Sequence, residues 1–285
     1  MAIFGKSYKY YLGYALSGGG SKGFAHLGAL KVMEKYNLKP DVIVGTSAGA
    51  LAGVFYADGY HPDEIGELFQ KKEFRQFVEF SFPKHGIFKS TGLYSFLKRN
   101  LRSHTFEELK HPLKIVATDW ERASTVIFSK GKNLIDAVVA SCSVPVVFNP
   151  HYIDDVPYLD GGLLKNFPVS VIRKDCKYVI GVNVSLMIPA CEKTSIKNVA
   201  ERTFNLMLNS NSILDSSLCD VLIEVKGLQK YNMFGLSYID DIIESGYSFC
   251  ANAFADEKAL RIVRKCLHHY ELEEKIKNRI KKLKH

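Results

Sequence analysis

With 285 residues, 47% of them hydrophobic and 24% charged, the chain is long enough to bury one sizeable core, and its composition excludes a disordered or fibrous protein. The net charge of +8 is concentrated at one end: Arg261 to His285 holds nine Lys/Arg against three Glu, so the basic excess is largely a tail property and not a sign of a nucleic-acid-binding face. No window offers about 18 or more consecutive apolar residues, which argues against a membrane span.

The N-terminal MAIFGKSYKYYLGYAL lacks the apolar core and small-residue cleavage site of a signal peptide. Cys142, Cys176, Cys191, Cys219, Cys250 and Cys266 are scattered, with no CxxC pair and no Cys/His cluster at zinc spacing. Reduced thiols, a cytoplasmic address and no metal site are expected.

In chain order, residues 10–16, YYLGYAL, form an apolar run that stops at a glycine cluster and predict a buried strand. Phe24, Leu27, Leu30, Val32 and Met33 then predict a helix to about Tyr36. A turn at Asn37 to Pro40 leads to a strand, VIVG, after Asp41, and Ala48 to Ala57 predicts a second helix. Strand, helix, strand, helix in so short a span indicates an α/β fold with parallel strands.

Residues 61–110 are less regular and rich in aromatics: Phe69, Phe74, Phe77, Phe80, Phe82, Phe88, Tyr94 and Phe96. They can form a cover over a neighbouring segment or simply pack a core. Strands are predicted again from Leu113 and Thr125, a helix over Asn133 to Ala140, and strands from Tyr178 and Val221. From Asp256 the pattern is helical, with Leu260, Val263, Cys266, Leu267 and Tyr270 on one side. The expected organisation is one domain, with its main body over 10–185 and its continuation over 186–255, followed by a basic helical extension over 256–285.

Two glycine motifs carry the chemistry. Gly18-Gly19-Gly20-Ser21-Lys22-Gly23 lies between a strand and a helix and contains GxGxxG. A dinucleotide site needs an acid at the far end of the next strand, but Asp41 precedes that strand. A P-loop needs Ser or Thr after the lysine, where Gly23 stands. The second motif, Gly45-Thr46-Ser47-Ala48-Gly49, follows a strand and opens a helix, the setting of a nucleophile elbow. There the hydroxyl of Ser47 stands clear of the sheet, and glycines flank it because side chains two residues away would collide. Three consecutive glycines one βα unit upstream let the backbone approach a developing oxyanion.

A serine nucleophile needs a base. His268 and His269 sit in the charged terminal helix, His151 in an irregular stretch, and His26 one turn into the first helix, where packing or capping explains it. Tyr158-Leu159-Asp160-Gly161-Gly162 offers a carboxylate at a tight turn, although spacing alone favours Asp160 as an ordinary turn aspartate.

Four blocks in order resemble the patatin-like phospholipases: the glycine loop from Gly18 to Gly23, the elbow from Gly45 to Gly49, Ala140-Ser141-Cys142-Ser143-Val144-Pro145, and Asp160-Gly161-Gly162. The resemblance covers about residues 10–185, with a weaker likeness at Gly246-Tyr247. It implies a three-layer α/β/α sandwich with a mostly parallel central sheet, and a dyad of Ser47 as nucleophile and Asp160 as base, with no histidine. It also implies that the glycine loop is the oxyanion hole, and that the substrate is a phospholipid or other lipid ester. The last block reads DGG where many members have DGA. A transacylase would share every one of these residues, and a non-catalytic lipid-binding protein could keep the scaffold. The basic tail offers peripheral attraction to anionic lipid.

Overall fold

The computed structural model describes residues 7–71, 74, 91–145, 147–186, 196–231 and 235–283. In chain order the elements are β1 (Tyr10–Leu16), α1 (Phe24–Lys35), β2 (Val42–Thr46), α2 (Ala48–Ala57), α3 (Pro62–Gln70) and α4 (Thr91–Asn100). Then come β3 (Leu113–Asp119), β4 (Ser124–Phe128), α5 (Leu134–Ser141), β5 (His151–Ile153), β6 (Val156–Asp160), α6 (Gly162–Lys165) and α7 (Ser170–Arg173). The chain continues through β7 (Cys176–Asn183), α8 (Ile196–Ser210), α9 (Ile213–Ser216), β8 (Val221–Glu224), α10 (Ile239–Ala255) and α11 (Glu257–Leu283).

The strands form one mixed sheet whose centre, β3-β2-β1-β7-β8, is parallel, with β4, β5 and β6 added antiparallel beside β3. Alternate residues of β1 supply the two sides. Leu12, Tyr14 and Leu16 join α1, α2 and α10 in the larger core, while Ala15 joins Val42, Val44, Phe167 and Ile172 in the smaller core beneath α7. Helices thus cover both faces, the three-layer α/β/α sandwich that the four blocks imply.

One register decides the geometry of the site. Thr46, the last residue of β2, pairs with Val116 of β3, and the next residue of β3, Ala117, pairs with Asp160 of β6. Since β4 occupies the other edge of β3 over residues 115–119, β6 must take the edge that β2 has just vacated. The end of β6 therefore abuts the end of β2.

The described parts of 61–110 are more regular than their sequence suggests. His61 caps α3: its side chain accepts from Asp63 N–H, Glu64 reaches back to the His61 N–H at 2.7 Å, and Pro62 opens the helix. Phe69, Phe74 and Phe96 are buried against Phe55 and one another, and Tyr94 packs beside the same core. These four aromatics pack the core. Phe77, Phe80, Phe82 and Phe88, and Cys191 with them, lie outside the described residues.

Helix α10 crosses α1 at very close range: a Cβ on Gly28 would strike the Ile243 carbonyl, and one on Gly246 the Ala25 carbonyl. Gly28 and Gly246 together let the two backbones meet. Helix α11 then packs Val263, Cys266 and Tyr270 against the N-terminal ends of the central strands. There the Tyr270 hydroxyl donates to the Lys39 carbonyl at 2.7 Å, and His269 stacks on Tyr11.

Candidate active site

The site lies at the C-terminal ends of β1, β2 and β6, where an open α/β sheet presents its loops. Ser47 has φ 52° and ψ −120°, a left-handed φ that L-residues rarely adopt, and it directly precedes α2. Its side chain makes no capping bond to that helix, so among the described residues no side chain caps the first-turn N–H groups. The flanking glycines are required by contact: a Cβ on Gly45 would strike the Gly49 carbonyl, and one on Gly49 the Leu16 carbonyl.

The glycine loop runs directly past the elbow. A Cβ on Gly18 would fall 3.3 Å from the Ser47 Cβ and would collide with Asn166 Oδ1, while one on Gly23 would meet the Ala48 Cβ at 2.5 Å. Gly18 N–H is spent on the Asn166 carbonyl at 3.0 Å, and the Gly18 carbonyl is taken by the hydroxyls of Ser17 and Ser185. Among the described residues the Gly19 N–H meets no acceptor. Gly20 has φ 60° and opens a short 3-10 turn through Ser21 and Lys22, both of which are buried.

His26 sits at the root of this loop. It is fully buried, and Nε2 donates to the Ser17 carbonyl at 2.8 Å, while Nδ1 has no partner. Burial lowers its pKa to about 4, so the ring is neutral and acts as a brace. His151 binds Asp136 at 2.9 Å and His269 stacks on Tyr11. Among the described residues no histidine hydrogen-bonds Ser47.

Asp160 is 1% exposed. Its Oδ1 accepts the Gly162 N–H at 2.7 Å, and its own N–H donates to the Ser143 carbonyl at 2.9 Å. Oδ2 is buried without a partner of ordinary geometry. Burial pushes the carboxyl up to about 7, against the smaller lowering influence of the nearby Ser47 hydroxyl and the Gly162 N–H. The Cys142 thiol also lies beside Ser47 and Asp160, and burial drives its pKa well up, so it stays protonated. Gly161 packs on the Val116 carbonyl, its would-be Cβ 3.1 Å from Thr46 Cγ2.

The structure therefore brings the loop from Gly18 to Gly23, the elbow from Gly45 to Gly49 and the turn from Asp160 to Gly162 to one place. Sequence reasoning had no role for Ser141, Asn166 or Ser185. Asn166 was findable only as the polar residue that closes the DGG turn; Ser185, past the end of β7, carried no signal. No group of His, Cys, Asp and Glu suited to a metal ion occurs among the described residues.

The family model of patatin-like phospholipases matches residues 14–172. The chain belongs to this family. Protein YqhO of Bacillus subtilis (strain 168) is 29% identical over 67% of this chain and 77% of its own length. An Escherichia coli protein named cUMP-AMP-activated phospholipase is 30% identical over 61% of this chain, and the match spans 64% of that relative. The crystal structure of VipD from Legionella pneumophila has the same fold, with a TM-score of 0.52 at 13% identity, covering 96% of this chain and 76% of VipD. Membership and the phospholipase relative support a lipid hydrolase.

Proposed function

We propose that the chain is a lipid acyl hydrolase of phospholipase A or lysophospholipase type, working through an acyl-Ser47 intermediate with Asp160 as base. The observation that carries this reading is the buried Asp160 carboxyl beside the strained elbow serine, with Oδ2 left without a partner. Burial near pH 7 suits a general base, because the group is half ionised yet basic enough to take a proton.

In the first half-reaction Asp160 accepts the hydroxyl proton as Ser47 Oγ bonds to the ester carbonyl carbon. The carbonyl electron pair moves onto oxygen, and the oxyanion faces the N–H groups of the glycine loop, Gly19 first, and of the first turn of α2. The pair then returns, the C–O bond to the alcohol breaks, and Asp160 gives the proton to the leaving alkoxide. A water repeats the sequence on the acyl-serine and releases the fatty acid. Every proton in this scheme is handled by residues of the chain.

The substrate is a phospholipid or another lipid ester. Peripheral contact with a lipid surface fits the exposed Leu164, Leu206, Ile213 and Leu214, carried on α6, α8 and α9, which pack around the Asp160 turn through Leu208 and Asn211. The basic helix α11 packs at the opposite end of the strands and does not border Ser47.

The test is hydrolysis of a total lipid extract, with released fatty acids and lysolipids read by mass. Wild type releases both, and Ser47→Ala releases neither while keeping its far-UV circular dichroism. Undiminished release by Ser47→Ala would remove the serine from the mechanism.

A further inference from the structure

Ser47 keeps its left-handed φ although its own turn holds only its carbonyl, which accepts the Leu51 N–H at 2.9 Å. A non-glycine residue in such a region costs on the order of 1–3 kcal/mol and persists only where its surroundings fix it. Its N–H precedes α2 and finds no acceptor within that helix. What accepts it is the hydroxyl of Ser141, at 2.8 Å. That hydroxyl in turn donates to the Val116 carbonyl at 2.6 Å. Ser141 is fully buried at the end of α5, far from any solvent that could replace it.

The same short segment reaches the other half of the dyad. Two residues on, the Ser143 carbonyl accepts the Asp160 N–H at 2.9 Å. Between them, Cys142 turns its thiol toward Ser47 and Asp160. The Ser143 hydroxyl caps the last turn of α5 by donating to the Val139 carbonyl at 2.8 Å, which anchors the segment to its helix. Val116, the acceptor for Ser141, is the β3 residue that pairs with Thr46 and precedes the partner of Asp160. One bracket thus spans both ends of the pair.

We infer that Ser141 is a positioning residue for catalysis: its hydroxyl, relayed to the Val116 carbonyl, pins the Ser47 backbone in the strained conformation that aims Oγ at Asp160 and at the substrate. This rests on the acyl-Ser47 reading above. Without the hydroxyl, a buried N–H loses its only acceptor among the described residues, and the elbow is free to relax. Misplacement of a nucleophile by about 1 Å can cost on the order of a hundredfold in rate without weakening substrate binding.

The experiment compares wild type, Ser141→Ala, Ser141→Thr and a remote core truncation, Val263→Ala, in two measurements. The first is the rate of Ser47 labelling by a fluorophosphonate, together with kcat and KM on a soluble nitrophenyl ester, all per folded molecule. Ser141→Ala is expected to lose about tenfold to a hundredfold in labelling rate and kcat with KM little changed. Ser141→Thr, which keeps the hydroxyl, recovers most of the loss, and Val263→Ala loses stability but not kcat. Wild-type labelling and kcat in Ser141→Ala overturn the inference. If the alanine variant does not fold, Ser141→Cys, of similar size and with a far weaker acceptor, carries the same comparison. The second measurement is hydrogen exchange at the Ser47 amide, which reads the bond whether or not Ser47 reacts. Protection in wild type that is lost in Ser141→Ala supports the pin, and equal exchange in both overturns it. An unlabelled wild type with a protected Ser47 amide would instead sink the acyl-enzyme reading and leave the pin standing.

Discussion

Asp160 reaches Ser47 because β6 takes over the edge of β3 where β2 ends, with Thr46 opposite Val116 and Asp160 opposite Ala117. This places a carboxylate in a dry position, and the dryness has a measurable consequence. With Asp160 pushed up to about 7 and acting as the proposed base, activity on a soluble ester is expected to rise as pH climbs through neutrality, with an acid limb near 7 in kcat/KM. The same group carries a stability cost of the opposite trend. Its folded pKa exceeds its ordinary value of 3.8, so the neutral form is favoured in the fold. The stabilisation is complete below about pH 4 and is lost as pH rises toward 7. Asp160→Asn, neutral at every pH, is therefore expected to lose activity yet to be more stable than wild type at pH 8. Chemical denaturation of both proteins at pH 5 and pH 8 checks this; an advantage that does not grow with pH contradicts it.

How far this site could be read from the sequence depends on the scale of each signal. The βα units from Tyr10 to Ala57 were legible almost to the residue, because a fully buried parallel strand followed by a helix leaves an uninterrupted apolar run and then a change of period. The β5-β6 hairpin was not. Its strands are too short to show alternation, and its two-residue turn is Asp154-Asp155, at φ 49° and 63°, where glycine or asparagine would have announced it. Helix α3 was missed because its cap is His61, outside the usual capping set, although Pro62 and Glu64 were in view. The residues of the elbow and glycine loop were legible because backbone geometry dictates glycine there. Ser141 was visible only as part of a block without a role, since a buried serine that serves another residue's N–H has no pattern of its own.

His26 answers to pH in the other direction from Asp160. Its folded pKa of about 4 lies below the ordinary 6.5, so it contributes stability that is present above about pH 6.5 and is lost as pH falls toward 4. His26→Gln, which can still donate to the Ser17 carbonyl but does not titrate, should remove that part of the acid sensitivity. His26→Ala leaves a buried carbonyl without its donor and costs about 1–3 kcal/mol. It also loosens the loop that carries Gly19, so kcat falls further than the loss of folded protein explains. Melting curves across pH 4 to 8 and active-site titration separate the two effects.

Asn166 stands where a charge would be felt. Among the described residues its buried Oδ1 has no partner, and a Cβ on Gly162 would lie 3.2 Å from that oxygen and 2.9 Å from Asp160 Oδ1. Asn166→Asp would place a second carboxyl next to the first in a dry site, where two carboxylates cannot easily ionise together. The acid limb of the pH profile is expected to move upward from about 7, with reduced activity at neutral pH that is partly recovered in more alkaline buffer. An unmoved limb would show that the Asn166 side chain is not coupled to Asp160.

Two glycine substitutions divide function from packing. Gly18→Ala introduces a Cβ that collides with Asn166 Oδ1 and presses on the Ser47 Cβ, in the segment that delivers the Gly19 N–H. Losing an oxyanion donor typically costs about a hundredfold to a thousandfold in kcat, and Gly18→Ala is expected in that range through displacement of the loop. Gly66→Ala is the counterpart. It lies inside α3, its new methyl would meet Ile243 Cδ1 at 3.5 Å, and its φ is ordinary. Exchanging glycine for alanine there is worth up to about 1 kcal/mol of helix stability. A higher melting temperature with unchanged kcat is expected for Gly66→Ala, and lost kcat with a retained fold for Gly18→Ala. The reverse pattern would mean that the glycine loop serves packing and not the oxyanion.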